Sequence, residues 1–253
     1  MTPPTSAGTV LREWRTRRRF SQMDLALQAH VSTKHLSNVE TGRARPSPEM
    51  ILHLCEHLDV PLRDRNSILL AAGHAPRYRH SPLESIDSSV VRHVVDMVLA
   101  AHHYPAVVVD GQWNLVAAND ADGLFLHGIA PELLTPPINV IRLSLHPGGL
   151  APRVVNFAEY AGHVLARLRR LASNSPDPVL DELLTEFANL HTTTPARSDG
   201  VVLPLELSTP TGVIRMFSTI TTFGSPRDVT LSELAIETFY PADDASAALL
   251  TLG

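Results

Sequence analysis

The stretch from Ser21 to Gly42 leaves the chain few folds to choose from. Asp24 stands at the third helical position after Ser21, so hydroxyl and carboxylate can each satisfy a free backbone N–H where a helix starts. Leu25, Ala26 and Ala29 mark the buried side of that helix. Ser32 can cap a second short helix carrying Leu36 and Val39, and Gly42 supplies its left-handed end. A tight turn at His30-Val31 joins the two, and the second helix opens on small polar and cationic residues. This pattern predicts a helix-turn-helix, in which the second helix enters a DNA major groove and turns its first residues towards base edges.

The flanks complete a helical bundle. Leu11 and Trp14 share a face of a preceding helix, with Arg15 beside them. Ser47-Pro48 opens another, because proline is tolerated where the N–H would be unpaired. Met50, Ile51, Leu54 and Leu58 form its apolar stripe. A fifth helix spans about 62–72 and stops at Gly73, and Pro76 to Pro82 reads as a linker. Charge divides at the same place. Residues 1–80 hold twelve Lys/Arg against seven Asp/Glu, a balance of +5; residues 81–253 hold nine against nineteen, a balance of −10. A basic head on an acidic body fits a chain of which one part meets a polyanion.

The run Ser21-Gln22-Met23-Asp24-Leu25-Ala26, then Val31-Ser32, Leu36-Ser37-Asn38-Val39-Glu40-Thr41-Gly42-Arg43 and Pro46-Ser47 resembles the lambda-repressor-like, or XRE, family over about residues 7–73. The resemblance implies that Thr33, Lys34 and Asn38 face base edges, with Ser32, His35 and Ser37 near phosphates or flanking bases. It places Gln22 and Arg43 on the phosphate backbone and makes Arg15–Glu40 a buried ion pair. Chemistry agrees: Lys34 can donate to guanine or to a phosphate, and Asn38 can be bidentate to adenine. Arg17, Arg18, Arg19 and Arg45 add sequence-independent attraction.

The rest of the chain reads as a helix over 88–102, a hairpin of strands 106–109 and 115–118 about a turn at 110–114, and a helix over 120–126. Two long helices follow near 153–172 and 178–191. Val201, Leu203, Leu205 and Leu207 alternate along a strand, followed by strands over 213–223 and 231–239 and a helix after Pro241. The order implies an α+β domain with an antiparallel sheet and helices on one side. Tyr160, Arg167, Arg169 and Arg170 read as a solvated helix face. No nucleophile elbow, phosphate loop or zinc-protease motif occurs, so no enzyme is expected. His53-x-Cys55-x-His57 puts two histidines on one helix face without a third ligand, and no metal or other cofactor is expected. The composition is globular, with 44% hydrophobic and 19% charged residues. No apolar run reaches membrane-helix length, the basic start has no apolar stretch of a secretory signal, and the single cysteine suits a reducing cytoplasm.

Tyr104 to Asn119, with Arg153-Val154-Val155-Asn156-Phe157-Ala158, Leu203-Pro204-Leu205 and Phe239-Tyr240-Pro241-Ala242-Asp243, resembles the PAS-like ligand-binding domain of MmyB-like/MltR-like regulators. Ala118 stands where that family's hairpin is expected to carry tryptophan. The resemblance divides the chain into a head (1–73), a linker (74–86) and a PAS-like ligand-binding and dimerisation domain (87–253). It implies an apolar cavity for a fatty-acid-like effector. Phe157, Ala161, Val164, Ile214, Met216 and Ile220 would line it, with Asn139, Arg142, Asn156 and Tyr240 as polar anchors; otherwise these residues fill a core. The expected partner is double-stranded operator DNA, bound by a homodimer because one recognition helix reads few bases. The competing expectation is a body that serves only as an oligomerisation or protein-interaction module.

Overall fold

The computed structural model describes residues 6–80, 90–120, 123–174, 177–192 and 204–250. They form two compact units, Met1–Ser81 with Ser225–Ser232, and Pro82–Gly224 with Glu233–Gly253. The first contains α1 Ala7–Arg17, α2 Gln22–Gln28, α3 Thr33–Glu40 and α4 Pro48–His57, each capped by a serine hydroxyl, and α5 Leu62–Ala71, which follows Pro61 without a side-chain cap. The expected box at α2 is present: Asp24 N donates to Ser21 Oγ at 3.1 Å and Ser21 N to Asp24 Oδ2 at 3.0 Å. Hydrogen bonds to the carboxylate from the Ser21 side chain and from its backbone N–H favour the ionised form and hold Asp24 below its ordinary pKa. At the end of α3, Gly42 N reaches Val39 O and Arg43 N reaches Asn38 O, with Gly42 at φ 72°. That is a Schellman stop, cheapest for glycine. Gly8 lies so close to this end of α3 that a Cβ there would collide with Val39 O.

The head's core gathers Leu11, Trp14, Leu25, Leu36, Ile51, Leu54, Leu58 and Ile68. Each such side chain contributes about 1.5–3 kcal/mol by leaving water. Cys55 lies in the same core, and burial pushes its thiol up to about 12. Part of the expected linker is tied to α5: Asn66 Oδ1 accepts from the backbone N–H groups of Arg77 and Tyr78, and Asn66 Nδ2 donates to Tyr78 O. Residues 81–86 lie outside the described residues.

The second unit opens with α6 Val90–Ala100 and the hairpin β1 Ala106–Val109 and β2 Leu115–Ala118. Asp110 Oδ1 closes the turn by accepting from Gln112 N at 2.9 Å and Asn114 N at 2.8 Å. Then come α7 Gly123–Leu126, α8 Val140–Leu145, α9 Phe157–Asn174 and α10 Pro178–Glu186. The chain ends with β3 Leu205–Thr209, β4 Gly212–Thr222, α11 Val229–Glu233 (grouped with the first unit up to Ser232), β5 Ala235–Pro241 and α12 Asp244–Leu250. The sheet is antiparallel in the order β2-β1-β5-β4-β3, so the last strand is inserted at the centre.

Four expectations change. Helices flank both sheet faces rather than one. Val109 packs with α9 and α10, yet Ala106, Val108, Ile236 and Thr238 are also buried, and α6 lies against β1. The uninterrupted Ala-Val-Val-Val run carries that signature, since a strand buried on both faces does not alternate. Residues 231–234 do not open the last strand: Asp228 Oδ1 accepts from Leu231 N at 3.2 Å, which favours the α11 turn instead. The long helix begins at Phe157 rather than 153. Asn156 is held outside it, donating to Pro204 O at 2.8 Å and accepting from Glu206 N at 3.1 Å. The next helix ends at Glu186, short of His191. Val201 and Leu203 lie outside the described residues.

Candidate nucleic-acid interface and buried cavity

Helix α3 presents its start outward. Ser32, Thr33, Lys34 and His35 are exposed and Ser37 and Asn38 half-buried, while Leu36, Val39 and Glu40 are buried. Three apolar anchors fix the rotation of the helix: Leu36 and Val39 on α3, and Leu25 on α2. The Ser32 hydroxyl serves as N-cap, accepting from His35 N at 3.1 Å. No protein group among the described residues engages the side chains of Lys34, Asn38 or Arg43. Such groups are available to an outside partner.

Behind this face, Arg15 and Glu40 form a saturated pair. Arg15 Nε donates to Glu40 Oε1 at 2.6 Å, Nη2 to Oε2 at 2.9 Å and Nη1 to Phe20 O at 2.7 Å. Gln22 Nε2 donates to Glu40 Oε2 at 2.8 Å, so the side chain expected on a phosphate also braces the pair. Arg18 is spent on the carbonyls of Leu58 and Asp59, and Arg45 on those of Ala72 and Gly73. Both still carry charge to this face's surroundings. His53 bonds Ala29 O and His57 bonds His53 O. No group of three possible metal ligands occurs among the described residues.

The second unit contains a partly open chamber of about 340 Å³ and an adjoining, partly open apolar one of about 60 Å³. Helix period and strand alternation build both. On α9, Tyr160, Val164 and Arg167 recur every three or four residues, and on β5, Glu237 and Phe239 share a face. These five and Leu205 line both chambers; His163, Met216, Phe217 and Ser218 complete the larger one. Arg167 and Glu237 meet at 2.9 Å with side chains 15% and 8% exposed. The guanidinium lies 4.1 Å over the Trp113 ring, and Ser218 Oγ donates to Glu237 Oε1 at 2.8 Å. Burial raises the Tyr160 phenol above its ordinary value, and the Glu237 charge raises it further.

Of the ten residues expected around a ligand, Val164 and Met216 line the chamber. Phe157, Ala161 and Ile214 pack in the core clusters, Ile220 is exposed, and Tyr240 packs against the Tyr104 and Phe217 rings. The expected polar anchors have other uses. Asn139 caps α8 and donates to Gln112 O; Arg142 pairs with Glu182 and Glu186; Asn156 staples the sheet. The reverse correction applies to Tyr160 and Arg167, which turn inward, whereas Arg169 and Arg170 are exposed as expected. The signal for them was present as the 160-164-167 spacing on α9.

A model of the MmyB-like transcription regulator ligand binding domain matches residues 91–252, and a helix-turn-helix domain model matches residues 6–68. The chain belongs to the MmyB-like transcription regulators. Comparison with curated proteins gives no match. As an MmyB-like regulator the chain joins a DNA-binding helix-turn-helix to a ligand-binding domain; the start of α3 lies within the first match and the residues that line the chambers within the second. No described helix is long and apolar enough to cross a membrane.

Proposed function

We propose that this MmyB-like regulator is a one-component cytoplasmic switch: a homodimer that binds operator DNA through α3 and responds to a small hydrophobic, fatty-acid-like effector held behind α9. The 340 Å³ chamber carries the reading, because an interaction module needs only a filled core, whereas small-molecule sites run from roughly 300 to 1,000 Å³. Thr33, Lys34 and Asn38 are the base-reading candidates, with Ser32, His35, Ser37 and Arg43 on phosphates or flanking bases. Gln22 and Arg45 act mainly by holding the helices that present them. Two heads about 34–36 Å apart would read a near-palindrome. The effector works only by binding the DNA-competent and incompetent states unequally.

The test is to denature purified full-length protein and identify copurified amphiphiles by mass spectrometry, then add them back to the emptied protein in an operator-binding titration. A recovered amphiphile that shifts operator affinity is the expected result. An empty protein whose melting temperature ignores all added amphiphiles would leave the body as an interaction module.

A further inference from the structure

The larger chamber has a polar end formed by Arg167, Glu237 and Ser218. Arg167 Nη1 is committed to Glu237 Oε1, which also accepts from Ser218 Oγ. Among the described residues, Arg167 Nε is buried and meets no acceptor. A buried guanidinium donor left unmade is costly, so this N–H is an unmet demand on a residue that lines both chambers, covered by a wall from their open space. The charge is already balanced: the guanidinium offsets the Glu237 carboxylate, and the face of the guanidinium is occupied by Trp113.

We propose that this site takes an uncharged amphiphile in preference to an ionised fatty acid: an acyl ester or amide whose carbonyl oxygen, on binding, displaces the wall over Arg167 Nε and accepts from it. The inference rests on reading the body as an effector domain and names the effector's headgroup. A carbonyl oxygen satisfies the donor and adds no charge. An ionised carboxylate would make two anions share one half-buried guanidinium, and like charges at such separation disfavour each other. The surrounding groups do not supply the missing cation. The Tyr160 phenol is held protonated by burial and by Glu237. His163, at the exposed rim, is held below its ordinary pKa by partial burial and by Arg167 and Arg170, which favours the neutral ring. The apolar wall from Val164, Leu205, Met216 and Phe239 receives the acyl chain.

The experiment is a calorimetric titration of the full-length protein, at neutral pH, with methyl octanoate and with octanoate. Both share one chain and differ in headgroup charge. The ester should bind about tenfold more tightly. Trp113 emission should change on binding, since its ring covers Arg167. Glu237→Gln removes the resident anion and should reverse the order in favour of octanoate. Arg167→Lys keeps the charge but lacks an Nε donor at that position and should weaken the ester by about tenfold. If octanoate binds the wild-type protein as tightly as the ester or more so, the headgroup assignment fails and the effector reading stands. If neither binds and Trp113 emission is unmoved, the effector reading fails and takes this assignment with it. The wild-type ranking decides the question even if a variant does not fold.

Discussion

The head and the body each bury an arginine against a glutamate, and they use the pair for different ends. In the head, Arg15 spends all three of its nitrogens, on both Glu40 oxygens and on Phe20 O, and Gln22 fills the remaining demand. Nothing in that pair is left for a ligand; it joins α1, α2 and the end of α3 and so sets how the recognition helix is presented. In the body, Arg167 makes one bond to Glu237, leaves a buried donor unmatched and borders a chamber. A saturated ion pair reads as architecture; on the proposal above, the unsaturated one beside a cavity serves binding. Fractional exposure alone would not separate them, since Arg15 and Arg167 are 11% and 15% exposed.

Removing one partner of each pair tests that contrast most severely. Arg15→Ala leaves Glu40 buried without its counter-charge and should destabilise the head by about 3–5 kcal/mol. Thiol labelling of Cys55, the chain's single cysteine, reads this directly because the thiol is protected only while the head is folded. A loss below about 1 kcal/mol would place the pair among ordinary surface bridges. Arg167→Met removes one bond where Arg15→Ala removes three, but it also leaves Glu237 without its counter-charge, so it should cost the body about 3 kcal/mol in a thermal melt, the low end of that range. An equal or larger loss than at Arg15 would make it architecture too.

Within the head, Asn38→Ala and Lys34→Ala should each relax base preference, by about 1–3 kcal/mol where the contact is bidentate. Arg43→Ala should instead weaken binding evenly across sequences and lower the salt slope by about 1. Unchanged binding in all three, measured by mobility shift against selected duplexes, would remove α3 as the reading helix. The smallest effect belongs to Arg142→Ala, which breaks only exposed pairs with Glu182 and Glu186. It should cost under about 1 kcal/mol and leave amphiphile binding unchanged; lost binding in the same calorimetric titration would restore Arg142 as a ligand anchor.

The head was legible in the sequence because its instructions are local. Ser21 with Asp24, Ser32, Ser47-Pro48 and Gly42 each act within four residues, and the structure places helix ends beside them. The hairpin at Asp110 was legible for the same reason. The body's site was not. Arg167, Arg169 and Arg170 look alike in sequence, and only the central placement of β5 brings Glu237 to the first of them from 70 positions away. Polarity also misleads in the other direction. Asn139 and Asn156 are drawn inward to satisfy backbone groups of α8 and β3, a demand invisible until those elements are placed.

On the proposed function, occupancy behind α9 is felt at α3. The direct measurement is the operator Kd of the full-length protein, on a duplex selected from random sequence, with and without saturating methyl octanoate. A shift of roughly five- to a hundredfold, in the range of ordinary coupling between sites, is the expected result. An operator Kd that stays constant while calorimetry shows the ester bound would contradict it.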